Sequence, residues 1–327
     1  MAVQAQEFAE AKWSLAERIE GEPTDAEIEG AFARGEIIRT HVLRPTWHFV
    51  APEDLRWMLE LTAPRVRQTM GYYNRQLKLD DATLERAAGL MREQLSGSEP
   101  QTRKDLGKAL ALAGIDDPSG GRLNHMVMYA ELGAVLCSAP RRGKQFTYRL
   151  VDEAVPDTEQ LSRDQALAEL ARRFFTSHGP ATITDFSWWS GLTKTDCRAG
   201  LAAIEGDLAQ EPDDDGEPWI GPNPKRDTIG TEALLIPMYD ELSVGFRDLR
   251  MVFDSQPPDG LMARPILFDG VCFGSWRRTI GRGEVTVEVT TFKRLSRSHR
   301  AQLAQVAERF GRFLELPARL ETTVASA

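Results

Sequence analysis

Two spacings of apolar residues alternate along this chain. In some stretches they lie three and four apart, as an amphipathic helix requires; in others they alternate singly, as in a half-buried strand. The two recur in one order, helices and then a hairpin. The first such set covers residues 23–51. Thr24-Asp25-Ala26-Glu27 is a capping-box pattern, and Ala26, Ile28, Ala31 and Phe32 form the apolar face of a short helix. Glu36–Leu43 and Thr46–Val50 read as strands joined around Arg44-Pro45, with the proline confined to the turn. Pro52 then opens a helix running to Leu61, with Leu55, Met58 and Leu59 inward.

A second set spans residues 80–150. Helix Ala82–Leu95 is followed by Thr102-Arg103-Lys104-Asp105, a capping box for a helix ending near Gly114, and then by a helix over Arg122–Leu132. Ala134–Ser138 and Gln145–Leu150 pair across the turn Pro140-Arg141-Arg142-Gly143-Lys144. Three helices and a basic-tipped hairpin describe a winged helix. Its tip suits phosphates, and its third helix brings Arg122, Asn124 and His125 to a groove. In a third set, residues 160–222, Leu161, Leu167, Leu170 and Phe174 share a helical face. His178-Gly179-Pro180 breaks that helix, Thr184–Ser190 forms a short one, and Thr193 caps another through Ile204. From residue 229 strands dominate: Ala233–Met238, Leu261–Phe268, Gly270–Trp276 and Glu284–Phe292, with Asp269-Gly270 as a two-residue hairpin turn. Ser296 starts a closing helix with Leu303, Val306, Phe310 and Phe313 inward. The expected fold class is α+β with tandem winged helices.

Composition adds little to this picture, and charge adds more. The 327 residues are 42% hydrophobic and 27% charged, as in an ordinary globular chain with room for several cores. No apolar run approaches a membrane span, and no basic segment leads into an apolar one at the start; a cytoplasmic protein is expected, nucleoid-associated when bound to DNA. Cys137, Cys197 and Cys272 are isolated, so buried reduced thiols are expected. The five histidines, His41, His48, His125, His178 and His299, lack metal-ligand spacing, and neither a metal nor a cofactor is expected. The net charge is −9, yet Arg141, Arg142, Lys144 and Arg149 fall within nine residues holding no acid. The third candidate wing has the opposite sign, with Asp207, Glu211, Asp213, Asp214, Asp215 and Glu217, and suits packing better than phosphate.

Five ordered segments resemble the AlkZ-like (YcaQ-related) winged-helix DNA glycosylases. They are Val3-Gln4-Ala5-Gln6-Glu7; Arg39-Thr40 with Arg44-Pro45-Thr46-Trp47-His48-Phe49-Val50; Asp185-Phe186-Ser187-Trp188-Trp189-Ser190-Gly191-Leu192; Pro237-Met238-Tyr239-Asp240-Glu241 with Gly245-Phe246-Arg247-Asp248; and Asp269-Gly270 with Gly274-Ser275-Trp276-Arg277-Arg278. The resemblance covers essentially the whole chain. It implies tandem winged helices forming a C-shaped DNA-binding cleft, with a C-terminal β-rich element. The expected domains are residues 1–79 (first winged helix with the glutamine motif), 80–156 (second, with the basic wing), 157–228 (third) and 229–327 (the β-rich element and closing helix).

The family's glutamine–hydrophobic–glutamine signature falls on Gln4 and Gln6, which the resemblance implies are catalytic, with Ala5 a small version of the middle position. Similar proteins carry a helix or so before this motif, whereas this sequence opens almost directly on it; an incomplete first core or a longer N-terminus is the expectation. The implied reaction is hydrolysis of the N-glycosidic bond of alkylated purines, N7 or N3 adducts and crosslinks. Such a base already carries positive charge and leaves readily. Neutral amides can then orient water and stabilise the oxocarbenium character that develops on the sugar. With no lysine beside the motif, a monofunctional enzyme is expected. The expected partner is double-stranded DNA carrying alkylated bases, met by a monomer.

Other candidates keep two readings at this point. Arg44, Thr46 and His48 contact the sugar–phosphate, or His48 is satisfied within its hairpin. Arg277 and Arg278 beside Trp276 form a phosphate-and-stacking patch, or they make surface ion pairs. Arg39 belongs with the DNA-binding set, along with Arg122, Asn124, Arg141, Arg142 and Lys144. Asp240 and Glu241 are adjacent, which suits structural hydrogen bonding better than a glycosidase carboxylate pair. Trp188 and Trp189 read as core. A non-enzymatic winged-helix regulator, or an interaction module that no longer meets DNA, is the alternative from another class.

Overall fold

A computed structural model describes residues 2–117, 120–157, 160–204, 206, 208–212, 216–222, 232–249 and 264–325. The chain opens with β1 (Val3–Gln4), α1 (Phe8–Ala16) and α2 (Asp25–Arg34). It separates into two compact units, residues 31–222 with the first two residues, and residues 3–30 with 223–327. The fold is mixed α+β, and no described helix is long and apolar enough to cross a membrane.

The larger unit begins with an antiparallel hairpin of β2 (Ile38–His41) and β3 (Trp47–Val50), in register from Ile38 opposite Val50 to His41 opposite Trp47. The loop between them turns tightly: Arg44 N–H reaches the Val42 carbonyl and Thr46 N–H the Arg44 carbonyl, both at 2.7 Å, while Leu43 takes a positive φ of 64°. Helix α3 (Pro52–Gln76) extends well past the expected end at Leu61. Pro64 removes one backbone donor, but the first half of the helix is anchored by buried Leu55, Met58, Leu59 and Leu61, so packing outweighs the local defect.

Next come α4 (Asp81–Leu95), β4 (Gln101–Thr102), α5 (Arg103–Leu112), α6 (Arg122–Leu132), β5 (Leu136–Arg142) and β6 (Gln145–Leu150). The local signals work as written: Asp80 caps α4, and Thr102 and Asp105 form a reciprocal capping box on α5. Leu84, Met91, Leu106, Leu110, Met126 and Leu136 share one core beneath these elements. The sheet runs β4-β6-β5, with a bulge between Ala139 and Arg142 at the basic turn. After α7 (Val151–Ala154) follow α8 (Arg163–His178), α9 (Ile183–Ser190), α10 (Lys194–Ala202) and the pair β7 (Ala209–Glu211) and β8 (Trp219–Gly221). Asp207, Asp213, Asp214 and Asp215 lie outside the described residues. Glu217 accepts from the Thr184 N–H at 2.8 Å and from Lys194 at 2.9 Å, which is a packing role at the start of α9.

Within the smaller unit, β9 (Ala233–Leu235) precedes α11 (Glu241–Val244), β10 (Pro265–Phe268), β11 (Val271–Ile280), β12 (Val285–Thr291), α12 (Arg297–Phe313) and β13 (Ala318–Val324). The sheet order is β13-β12-β11-β10-β9, antiparallel except for β12 with β13. Residues 261–263 of the expected strand Leu261–Phe268 lie outside the described residues. Asp269 and Gly270 both take positive φ, 51° and 79°, as a two-residue turn of this kind requires. Trp13 of α1 packs on Phe310 and Phe313 of α12 at 5.0 and 5.1 Å, and its ring N–H reaches the Leu235 carbonyl at 2.8 Å. That indole locks α1 into this unit's core.

Candidate functional site

The glutamine segment sits in the smaller unit at the junction of β1 and α1. Gln4 ends the strand and is buried, Ala5 is fully buried, and half-buried Gln6 lies in the bend before α1. A larger residue in place of Ala5 would have to displace packed neighbours, which accounts for the small side chain there. The backbone of the motif is held from one side: the Gln4 N–H donates to the buried Glu241 carboxylate at 2.6 Å.

Glu241 belongs to the segment Pro237–Glu241, and the whole segment grips this junction. Tyr239 has a positive φ of 58°, and Asp240 caps α11 through the Leu242 N–H. The fully buried Asp240 carboxylate also accepts from the Ser14 hydroxyl at 2.5 Å and takes Arg18 in a two-pronged pair at 2.7 and 2.9 Å. Two residues earlier, Met238 N–H donates to Glu10 of α1, whose buried carboxylate also meets Arg264 at 3.3 Å and Arg278 at 3.0 Å. Lys12, equally buried, reaches Asp25 and Glu29 at 2.7 and 2.8 Å. A charge this deep is tolerated only when paired and hydrogen-bonded; Asp240, Glu10 and Lys12 each have an opposite charge in reach, and Glu241 accepts the Gln4 N–H. Asp240 and Glu241 thus make structural hydrogen bonds that fix the strand and helix on either side of Ala5. Nearby, burial pushes the Glu17 carboxyl up to about 7 despite Arg309 at 3.3 Å.

The hairpin candidates lie in the larger unit. His48 is fully buried with Nδ1 3.0 Å from the Thr46 carbonyl, so Nδ1 carries the proton and donates. Arg44 and Thr46 are half-buried in the loop. That loop rests on the segment Asp185–Leu192: Gly191 ends α9 at φ 71°, and a Cβ there would lie 2.4 Å from the Leu43 carbonyl oxygen. Glycine is required on both counts. Trp189 of this segment is fully buried, whereas Trp188 is exposed, contrary to the expectation of core for both; adjacent helical residues point about 100° apart. Arg39 is buried, its guanidinium between the rings of Trp47 and Phe146 at 4.4 and 4.3 Å.

In the helix–hairpin set, Arg122 donates to the Leu77 carbonyl at the end of α3 at 2.9 Å, and Asn124 accepts from Arg103. His125 bonds Asn74 at 2.7 Å, and burial, with the His41 charge second, holds its imidazole below the ordinary value. Arg142 reaches the Pro100 carbonyl at 2.9 Å and Asp105 at 3.7 Å, Arg141 is half-buried, and Lys144 is exposed at the turn. In the smaller unit Arg277 is exposed on β11 opposite Glu288, while Arg278 is the partner of Glu10. Among the described residues no His, Cys, Asp and Glu cluster is arranged to hold a metal ion. Glu10, Ser14 and Arg18 were not singled out from the sequence. Nothing near them in the chain marks them, because their partners in Pro237–Glu241 lie more than 200 residues away.

A mixed α+β fold, helices repeatedly followed by hairpins, and a carboxylate-held glutamine segment define the class of protein. The chain belongs to the DNA glycosylase AlkZ-like family, whose model matches residues 1–313. Among solved structures it is similar to the DNA glycosylase AlkZ of Streptomyces sahachiroi, with a TM-score of 0.80 and 19% identity over 99% of this chain and 91% of that one. No curated protein matches the chain.

Proposed function

We propose that this protein is a monofunctional DNA glycosylase that hydrolyses the N-glycosidic bond of alkylated purines, working through tandem winged helices with Gln4 and Gln6 at the reacting centre. The observation that best supports the reading is the family match across residues 1–313, which includes the glutamine motif. The geometry adds a physical reason: Glu241 fixes the Gln4 backbone, and a held backbone is one condition for preorganised dipoles as charge develops on the sugar. A cationic N7- or N3-alkylpurine supplies its own leaving-group activation. Oriented water and a neutral, dipolar environment are what remain for the protein to provide. Arg141, Arg142 and Lys144 take phosphates in this reading and set register without reading sequence.

The test is a defined duplex containing one N7-methylguanine, incubated with the wild-type protein and with Gln6→Ala. Wild type is expected to release the base, and the variant to fall by about a hundredfold or more, as when a polar transition-state contact is lost. Equal release by both would remove Gln6 from the mechanism. Binding without release by either would favour a DNA-binding regulator.

A further inference from the structure

A cavity of about 630 Å³ opens in the larger unit, between the β2–β3 hairpin, the starts of α5 and α6, and β6. It contains none of the glutamine motif. Its size suits a single nucleotide. Two kinds of surface line it. The first is cationic: Arg103, Lys104 and Lys144 are exposed at its rim, and with Arg39 they face a single carboxylate, Asp117. Asp117 is itself occupied as the cap of α6, accepting from the Arg122 and Leu123 N–H groups at 3.0 and 3.1 Å. The cavity lining therefore carries a net positive charge in a chain whose net charge is −9.

The second surface is aromatic. Trp47, Phe146 and Tyr148 line the cavity, and the Arg39 guanidinium lies between the first two rings. This column continues inward: His41 packs on Trp47 at 4.3 Å and bonds the buried Glu131 carboxylate. Rings fixed in this way form a rigid platform, and burying Arg39 in it keeps a cation at the floor. An inorganic anion would use the rim and leave the platform idle. An apolar ligand would use the platform and waste the rim. A ligand that is both anionic and flat uses both, and a nucleotide is such a ligand.

We propose that this cavity is a binding pocket for one unstacked nucleotide of the DNA substrate, its phosphate among Arg103, Lys104 and Lys144 and its base against Phe146 and the Arg39–Trp47 stack. The proposal rests on the reading that the chain binds DNA, but not on the role of the glutamines. A distorted nucleotide is thereby recognised by residues other than the glutamines, which adds selection for duplexes that already open easily.

The test uses the full-length protein and two duplexes, one with a single unpaired 2-aminopurine and one with the same base fully paired. Wild type is expected to bind the unpaired duplex about tenfold tighter, as one base–aromatic stack provides, and to quench its fluorescence at saturation. Lys144→Glu combined with Phe146→Leu should abolish both the preference and the quenching. Circular dichroism and thermal unfolding check that this variant is folded, and the single Lys144→Glu change at an exposed turn gives a second measurement of the preference. The ratio of the two affinities is read, because weaker binding to both duplexes follows from any lost wing charge. Gln6→Ala should keep both preference and quenching, even if it proves as active as wild type. Equal affinity for the two duplexes with no quenching, or quenching that survives in the folded double variant, would overturn the proposal.

Discussion

Two sets of basic residues, one in each unit, are used in opposite ways. In the smaller unit Arg18, Arg264, Arg278 and Arg309 each reach a carboxylate that is nearly or wholly buried, on Asp240, Glu10 or Glu17. In the larger unit Arg103, Arg142 and Lys144 stay exposed around the β5–β6 turn and the cavity beside it. The first set neutralises acids that hold the glutamine segment in place. The second set creates an outward field. A basic residue count cannot distinguish these uses, because what matters is whether the partner is buried acid or solvent.

Arg18→Ala breaks the comparison most severely. Among the described residues it leaves the Asp240 carboxylate, at 0% exposure, with the Ser14 hydroxyl and the Leu242 N–H as hydrogen-bond partners. A buried charge stripped of its ion partner costs about 3–5 kcal/mol, and thermal unfolding should show a loss of that order. Base release should fall with it, since Asp240 and Glu241 are consecutive. Arg18→Lys, which keeps the charge and loses the two-pronged geometry, should recover part of the loss.

Glu17 sharpens the same contrast through pH. Its carboxyl is raised from 4.5 to about 7, chiefly by burial, so between those values the folded state holds a proton that the unfolded chain has released. Stability contributed by this group is complete below about 4.5 and is lost as pH rises to about 7. At about 1.4 kcal/mol per pH unit the whole change is roughly 3–4 kcal/mol. Glu17→Gln should flatten that part of the stability–pH curve, measured by denaturant unfolding between pH 4.5 and 8. An unchanged slope would assign the pH dependence to other groups.

Gly191→Ala probes the larger unit where packing, not charge, is at stake. The added methyl would meet the Leu43 carbonyl oxygen at 2.4 Å from a residue already at φ 71°. The loop carrying Arg44 and Thr46 must shift, at a cost of about 2 kcal/mol from the combined strain and clash. The measurement is thermal unfolding, with DNA affinity as a second readout of the displaced loop.

Which parts of this were legible beforehand follows from where the stabilising partner lies. The Thr102–Asp105 box, the Asp269-Gly270 turn and helix Arg122–Leu132 are local, and all stand in the structure where their patterns placed them. Helix α1 was missed because Glu10, Lys12 and Ser14 are as buried as Phe8 and Trp13, so no polar face marks its period. The partners that permit this lie at Asp25, Glu29, Asp240 and Arg264, beyond any local window. The extension of α3 past Pro64 has the same origin, tertiary packing that overrides a local breaker. Gln4 and Gln6 were found by resemblance alone, since two glutamines carry no intrinsic signature. The cavity joins Trp47 to Phe146 across two hairpins a hundred residues apart, a pairing that neither hairpin announces.

The smallest stability effect belongs to the exposed cations, and it carries the most diagnostic weight. Lys144→Ala at the turn should change unfolding free energy by no more than about 0.5 kcal/mol, because the side chain is exposed and buries no partner. If Lys144 meets a phosphate, the slope of log affinity against log salt should become shallower by about one unit, uniformly across sequences. Arg278→Ala is the matched control, for its guanidinium is the partner of buried Glu10. It should destabilise the protein measurably and leave the salt slope nearly unchanged. A reversal, with Arg278 controlling the slope and Lys144 controlling stability, would exchange the roles of the two sets. Equal slopes in both variants and wild type would remove the β5–β6 turn from the DNA interface while leaving the carboxylate-held glutamine segment untouched.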